Sequence, residues 1–204
     1  IMPQYVKAEY LETASGNKIS RKCCLSGPRR IKVAGKAIVM PGVIIRGDLA
    51  PVSIGQYTII KHSSVLRPPF KRVKAGSAFI PLSIGDHVVI EEDVIVNAAL
   101  IGSHVHIGRG AVIGARTVIR PCSVIAPGAV IPPDSVIAPF TIWEGFPAKP
   151  RSSLSPIDII ENRIESEFDT SIDTNLLQLP ELPECWMEIQ QELTTSFYKS
   201  FIPN

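Results

Sequence analysis

At 204 residues, 45% of them hydrophobic, the chain can bury one sizeable core and a small appendage, not several domains. Aromatics are only 6%, which excludes a ring-packed core and favours a narrow interior filled by Ile and Val. The net charge of +2 is uneven: up to residue 150 there are 18 Lys+Arg against 9 Asp+Glu, beyond it 3 against 10.

Residues 1–30 lead in, with short strands expected at 5–10 and 18–24 around the turn cluster Thr13-Ala14-Ser15-Gly16-Asn17. Such a segment caps the open edge of whatever follows. From about Ile31, large aliphatics recur every six residues. Val33, Val39 and Ile45 form one loose set, then Ile54, Ile60 and Leu66, then Ile84, Ile90 and Val96. After a one-residue slip the pattern becomes strict: Ile101, Ile107, Ile113, Ile119, Ile125, Ile131 and Ile137. Four residues after each of these stands Val105, Ala111, Thr117, Ser123, Ala129, Ser135 or Thr141, always small or β-branched.

A period of six fits neither an α-helix nor a hairpin meander. It is the signature of a hexapeptide parallel β-helix, in which three short sides make an eighteen-residue coil and coils stack about 4.8 Å apart. The expected class is an all-β solenoid, a left-handed parallel β-helix over residues 31–146. The stretch 67–83 breaks the period and is read as an extruded loop, and loops on rigid scaffolds often carry function. It contains Arg67-Pro68-Pro69-Phe70-Lys71-Arg72. A basic run with an aromatic could touch RNA, but no nucleic-acid motif accompanies it. A protein-binding loop at Pro69, Phe70, Lys71 and Arg72 is the expectation.

Residues 147–182 read as an acidic linker, with a short helix starting at Ser155-Pro156. Residues 183–204 predict an α-helix with Trp186, Ile189, Leu193, Phe197 and Phe201 on one stripe. Packing along its own β-helix is favoured over insertion into a partner. The four cysteines show no framework spacing, and neither a signal peptide nor an apolar run of 18 residues appears. A reducing cytoplasmic location is expected.

Val43-Ile44-Ile45-Arg46-Gly47-Asp48 together with the ladder phase resembles γ-class carbonic anhydrases. That resemblance implies three metal-binding histidines, and they would fall at Arg67, Glu92 and Asn97. The family's Gln-Asp pair would fall at Lys61-His62, leaving only Arg46 and Asp48 in common. A hydratase metal needs about three neutral imidazoles, and an arginine at a ligand position repels a dication. No metal, cofactor or catalytic residue is therefore expected. A metal-dependent hydratase and a hexapeptide acyltransferase are kept as alternatives, the latter on fold analogy alone.

A more specific resemblance lies in non-repetitive strings. Tyr10-Leu11-Glu12-Thr13-Ala14-Ser15-Gly16-Asn17-Lys18-Ile19-Ser20-Arg21, Val65-Leu66-Arg67-Pro68-Pro69-Phe70-Lys71, Ile90-Glu91-Glu92-Asp93 and Leu182-Pro183-Glu184-Cys185 resemble the dynactin subunit 5 family. The resemblance implies a non-catalytic, cytoskeleton-associated subunit of the dynactin pointed-end complex. It also implies pairing with dynactin subunit 6, neighbours in subunit 4 and the actin-related end protein, and indirect links to dynein adaptors and endosomal cargo. On that reading Arg46, Asp48, Lys61, His62, Arg67, Glu92 and Asn97 line a protein interface where relatives bind metal.

Overall fold

A computed structural model describes residues 7–73, 76–151 and 183–201. The expected class holds: the chain is a parallel β-solenoid of about six turns with a single C-terminal helix. The short helix expected at Ser155 and most of the acidic linker lie outside the described residues.

The solenoid has three faces. Face 1 stacks Lys18–Ser20, Ile38–Val39, Ile59–Ile60, Val89–Ile90, His106–Ile107, Val124–Ile125 and Ile142–Gly145 in parallel. An antiparallel strand closes each end, Tyr10–Glu12 at the bottom and Ala148–Pro150 at the top. Face 2 stacks Cys24–Ser26, Ile44–Arg46, Val65–Leu66, Ile95–Val96, Val112–Ile113 and Val130–Ile131. Face 3 stacks Ile31–Val33, Val52–Ile54, Leu82–Ile84, Leu100–Ile101, Val118–Ile119 and Val136–Ile137.

The parallel pairing thus reaches back to Lys18, earlier than the isoleucine spacing indicates. The six-residue step is present there as Ile19, Leu25 and Ile31, which pack only partly buried against the core. An incompletely covered first coil leaves a weaker pattern to read.

Every isoleucine of the strict ladder is 0% exposed. The small residues beside it do more than save space. Thr117 Oγ1 donates to Gly114 O (2.8 Å), Ser123 Oγ to Arg120 O (2.8 Å) and Ser135 Oγ to Pro132 O (2.7 Å). Each hydroxyl satisfies a corner carbonyl that the flat ladder cannot reach. Close approach also fixes glycine at the corners: a Cβ on Gly108 would lie 2.6 Å from Pro127 N in the next coil.

Helix α1 (Pro183–Ser200) covers face 1. Phe197 and Phe201 pack on Tyr10, Ile38, Met40, Ile59 and Val89, while Trp186 packs on Cys122, Val124 and Ile142. The buried stripe differs from the expected one in its middle. Gln190 and Thr194 are fully buried there, and Ile189 and Leu193 are only half-buried. The helix crosses two histidines at that point, so groups that can hydrogen-bond are turned inward. At its C-terminal end the buried Lys18 Nζ donates to Phe201 O, with the Tyr198 ring 4.4 Å away. A cation at this end complements the helix dipole.

Because Ile113 points inward and its neighbour Val112 outward, Ile113→Ala should cost about 2–5 kcal/mol and Val112→Ala less than about 1 kcal/mol. Urea unfolding of the two variants measures the difference.

Candidate docking face

Face 2 is where the structure gathers the positions singled out in the sequence. Each of its strands turns its first residue outward, and the register places Cys24, Ile44, Val65, Ile95, Val112 and Val130 in one row. A solvated sheet face ordinarily alternates apolar-in with polar-out. Here the outward row is apolar on every rung, with Ile44 37% and Ile95 42% exposed. The row is about 24 Å long at the usual rung spacing.

The other faces differ. The outward row of face 1 lies under α1. That of face 3 is Lys32, Ser53 and Ser83 in the lower coils and Leu100, Val118 and Val136 above. Among the described residues, nothing covers face 2.

One edge of face 2 carries Arg46, Arg67 and Asn97 on successive coils, each following an in-register inward residue. Arg46 forks onto Asp48, with both nitrogen–oxygen distances 2.8 Å. Hydrogen bonding to that guanidinium holds the exposed Asp48 carboxyl below its ordinary range. Arg67 is exposed and Asn97 half-buried. From this edge the predicted loop emerges as a β-hairpin, Phe70–Val73 paired antiparallel with Gly76–Phe79. Phe70 and Phe79 meet edge to face at 5.4 Å. Arg116, forked onto Asp134, also donates Nη1 to Phe70 O at 2.7 Å and pins the hairpin to the wall. Pro69 is buried at the hairpin base, whereas Phe70, Lys71 and Arg72 are exposed.

The opposite edge carries Lys61, His62 and Glu92. Lys61 Nζ lies 3.4 Å from Glu91 and 3.5 Å from Glu92. Arg109 completes the group, its Nε 3.2 Å from Glu92 and its backbone N–H donating to Glu91 at 3.2 Å. His106 Nε2 stands 3.7 Å from Glu91. Burial opposes the charge on Glu92, but Lys61, its backbone N–H and Arg109 outweigh that and hold its carboxyl below the ordinary 4.5. His62 contributes its backbone carbonyl to Asp93 N (3.1 Å), while Lys61 makes the charged contact to Glu92.

The sequence positions therefore fall into two clusters, one on each edge of the same face. Sequence reasoning missed Glu91, His106, Arg109 and Arg116. Glu91 is 2% exposed, so this corner buries one of the acids in the 91–93 run. The signal for Arg109 was present, since it lies one eighteen-residue coil beyond Glu91. The residues at the three ligand positions do not fit a metal: Arg67 carries a fixed positive charge, Asn97 offers only a neutral amide, and Glu92 is engaged by two cations. Among the described residues no group of three His, Cys, Asp or Glu is placed to hold one.

A family model described as dynactin subunit 5 matches residues 3–159. A dynactin subunit 5 from Dictyostelium discoideum is 47% identical over 205 residues, covering 100% of this chain and 89% of that protein. The chain belongs to the dynactin subunit 5 family. Solved structures of similar shape include a hexapeptide transferase family protein from Anaplasma phagocytophilum, with TM-score 0.53 and 18% identity over 92% of this chain and 99% of the other. Another is a mutant of AntD, an N-acyltransferase from Bacillus cereus, in complex with dTDP and Coenzyme A, with TM-score 0.58 and 16% identity over 81% and 100%. At such identity these likenesses define the fold alone. The match to the dynactin subunit 5 family spans both edges of face 2 and the hairpin.

Lys61→Met should destabilise the chain by about 1–3 kcal/mol at pH 7 by leaving the Glu91–Glu92 corner short of a cation. The gap from wild type should narrow as pH falls below 4.5 and through the depressed value of Glu92, because protonation removes the unbalanced charge. Urea titrations across pH 3.5–7 read both effects.

Proposed function

We propose that this chain is a non-catalytic structural subunit of dynactin, placed in the pointed-end complex, and that face 2 is its docking surface for dynactin subunit 6. The observation that carries this reading is the uninterrupted apolar row Cys24, Ile44, Val65, Ile95, Val112 and Val130 between two charged edges. A flat prism side suits side-by-side contact with another β-helix, whose rungs have the same spacing.

Size explains why the edges belong to the surface. A row about 24 Å long on a side about 13 Å wide offers roughly 300 Å². A stable interface needs about 800 Å² per partner, so Arg67, the Lys61–Glu92–Arg109 group and the Phe70 hairpin must contribute. Positions where related enzymes hold a metal would then serve recognition. Charged edges set register and partner choice more than affinity. Subunit 4, the actin-related end protein and, through the assembled complex, dynein adaptors and endosomal cargo are the wider partners on this reading. Its place is the cytoplasm, on the microtubule-associated cytoskeleton. No described helix is long and apolar enough to cross a membrane.

Ile44→Asp with Ile95→Asp should abolish co-purification with subunit 6 while leaving the thermal unfolding midpoint within a few degrees, since both side chains are already exposed. Arg67→Ala should weaken pairing, and Val136→Asp, 60% exposed on face 3, should leave it intact. Pairing that survives the double substitution would overturn the assignment of face 2. Stoichiometric metal with carbon dioxide hydration by the purified chain would overturn the non-catalytic reading.

A further inference from the structure

Where the chain turns from face 3 into face 1, one residue per coil takes a left-handed conformation: Lys36, Tyr57, His87, His104, Cys122 and Phe140, with φ between 52° and 59°. Their side chains form a column at the prism edge. Tyr57 and His87 stack at 5.1 Å and 11°, and His87 and His104 at 5.3 Å and 7°. Lys36 Nζ meets the Tyr57 hydroxyl at 2.7 Å.

Helix α1 lies along this column and makes most of its polar contacts there. Thr194 Oγ1 is 2.7 Å from His87 Nδ1, and Gln191 Nε2 is 3.1 Å from His104 Nε2. Trp186 Nε1 donates to His104 O (2.9 Å) and Gln190 Nε2 to His87 O (3.4 Å). The Tyr198 ring meets Tyr57 edge to face at 5.9 Å.

We propose that His87 and His104 make the docking of α1 a pH-sensitive latch, in which the helix rests on the neutral imidazole pair and is released from face 1 when the pair takes up protons.

Two features support this. The Gln191 amide nitrogen is a donor only, so His104 Nε2 must present a lone pair; a proton there would set donor against donor. A flip of Gln191 would answer that clash, but not the second: two parallel rings 5.3 Å apart, half-buried under a helix, cannot both carry charge without strong repulsion. Burial lowers both histidines from 6.5, and each faces few compensating charges. Asp86, at the same corner, pulls the other way for both, and His104 adds to the lowering at His87. Tyr57 is held by Lys36 on the far side of the stack, and Cys122 is the next rung beyond His104. From the helix, Thr194 and Gln191 contact the rings and Gln190 the His87 carbonyl, while Glu188, Glu192 and Lys199 are exposed.

The sign follows. With α1 docked, the pair binds fewer protons than with α1 released. Docking is at full strength above about pH 6.5 and weakens as pH falls through the lowered values. Release would uncover the outward row of face 1, including Ile38, Ile59, Val89, Val124 and Ile142, a second apolar side for partners.

Hydrogen exchange of the full chain at pH 7.5 and 5.5, corrected for intrinsic rates, tests the latch on α1 amides 187–200. At pH 5.5 the opening constant should rise roughly tenfold if one imidazole is barred from protonation while docked, and roughly a hundredfold if both are. In the double variant His87→Asn, His104→Asn the response should vanish; asparagine tolerates the left-handed backbone. No acceleration in wild type, or equal acceleration in the variant, would overturn the proposal. If the variant fails to dock its helix at pH 7.5, NMR titration of the wild-type ring protons decides. A midpoint below 6.5 for at least one of the two histidines supports the latch, and midpoints at or above 6.5 for both sink it.

Discussion

Parallel stacking at one fixed rung spacing is the constraint from which the rest follows. Each coil hydrogen-bonds only to the coils above and below, so a residue's neighbours lie one coil away in sequence, eighteen residues in the uninterrupted region. The inward isoleucines gain because each meets its counterparts across a narrow interior. The same geometry stacks whatever points outward. Glu91 meets Arg109, His87 meets His104, and Ile44 meets Val65 for one reason: the register leaves no alternative. A one-residue slip would turn a core isoleucine outward along the whole rung.

That constraint gives the three sides of the prism different fates. Face 1 carries large apolar groups outward and is covered by the chain's own helix, which binds through aromatics at both ends and a polar seam in the middle. Face 3 is half polar. Face 2 keeps an apolar row with no cover among the described residues; the departures from the ladder sit on the edge it shares with face 3, and the buried Glu91 corner sits on the other. The hairpin beginning at Phe70 and the buried Glu91 corner both stiffen those edges. A preformed surface loses little entropy on binding.

The relation to hexapeptide enzymes is one of shared scaffold. At the positions where the resemblance to γ-class carbonic anhydrases would put imidazoles, this chain has an exposed guanidinium at Arg67, a carboxylate at Glu92 paired with Lys61 and Arg109, and an amide at Asn97. Cations and salt-bridged acids on a rim favour specific contact with another protein.

The solenoid was legible in the sequence because a six-residue period needs no knowledge of distant contacts; Ile101 to Ile137 can be counted. The C-terminal helix was legible from its aromatic spacing, although the inward turn of Gln190 and Thr194 was not. That depended on which wall residues the helix would cross. The candidate interface was visible only as scattered positions. Outward residues such as Ile44, Val65 and Ile95 look like ordinary members of apolar strands, because period alone does not reveal which sides receive a cover. Likewise Glu91 reads as a surface acid until the coil carrying Lys61 and the coil carrying Arg109 close over it. Periodicity is a local property of the chain and fixed the coil. The uncovered apolar face, the buried charge and the stacked histidines depend on alignment between coils and on where the last helix lies, and only the tertiary structure decides those.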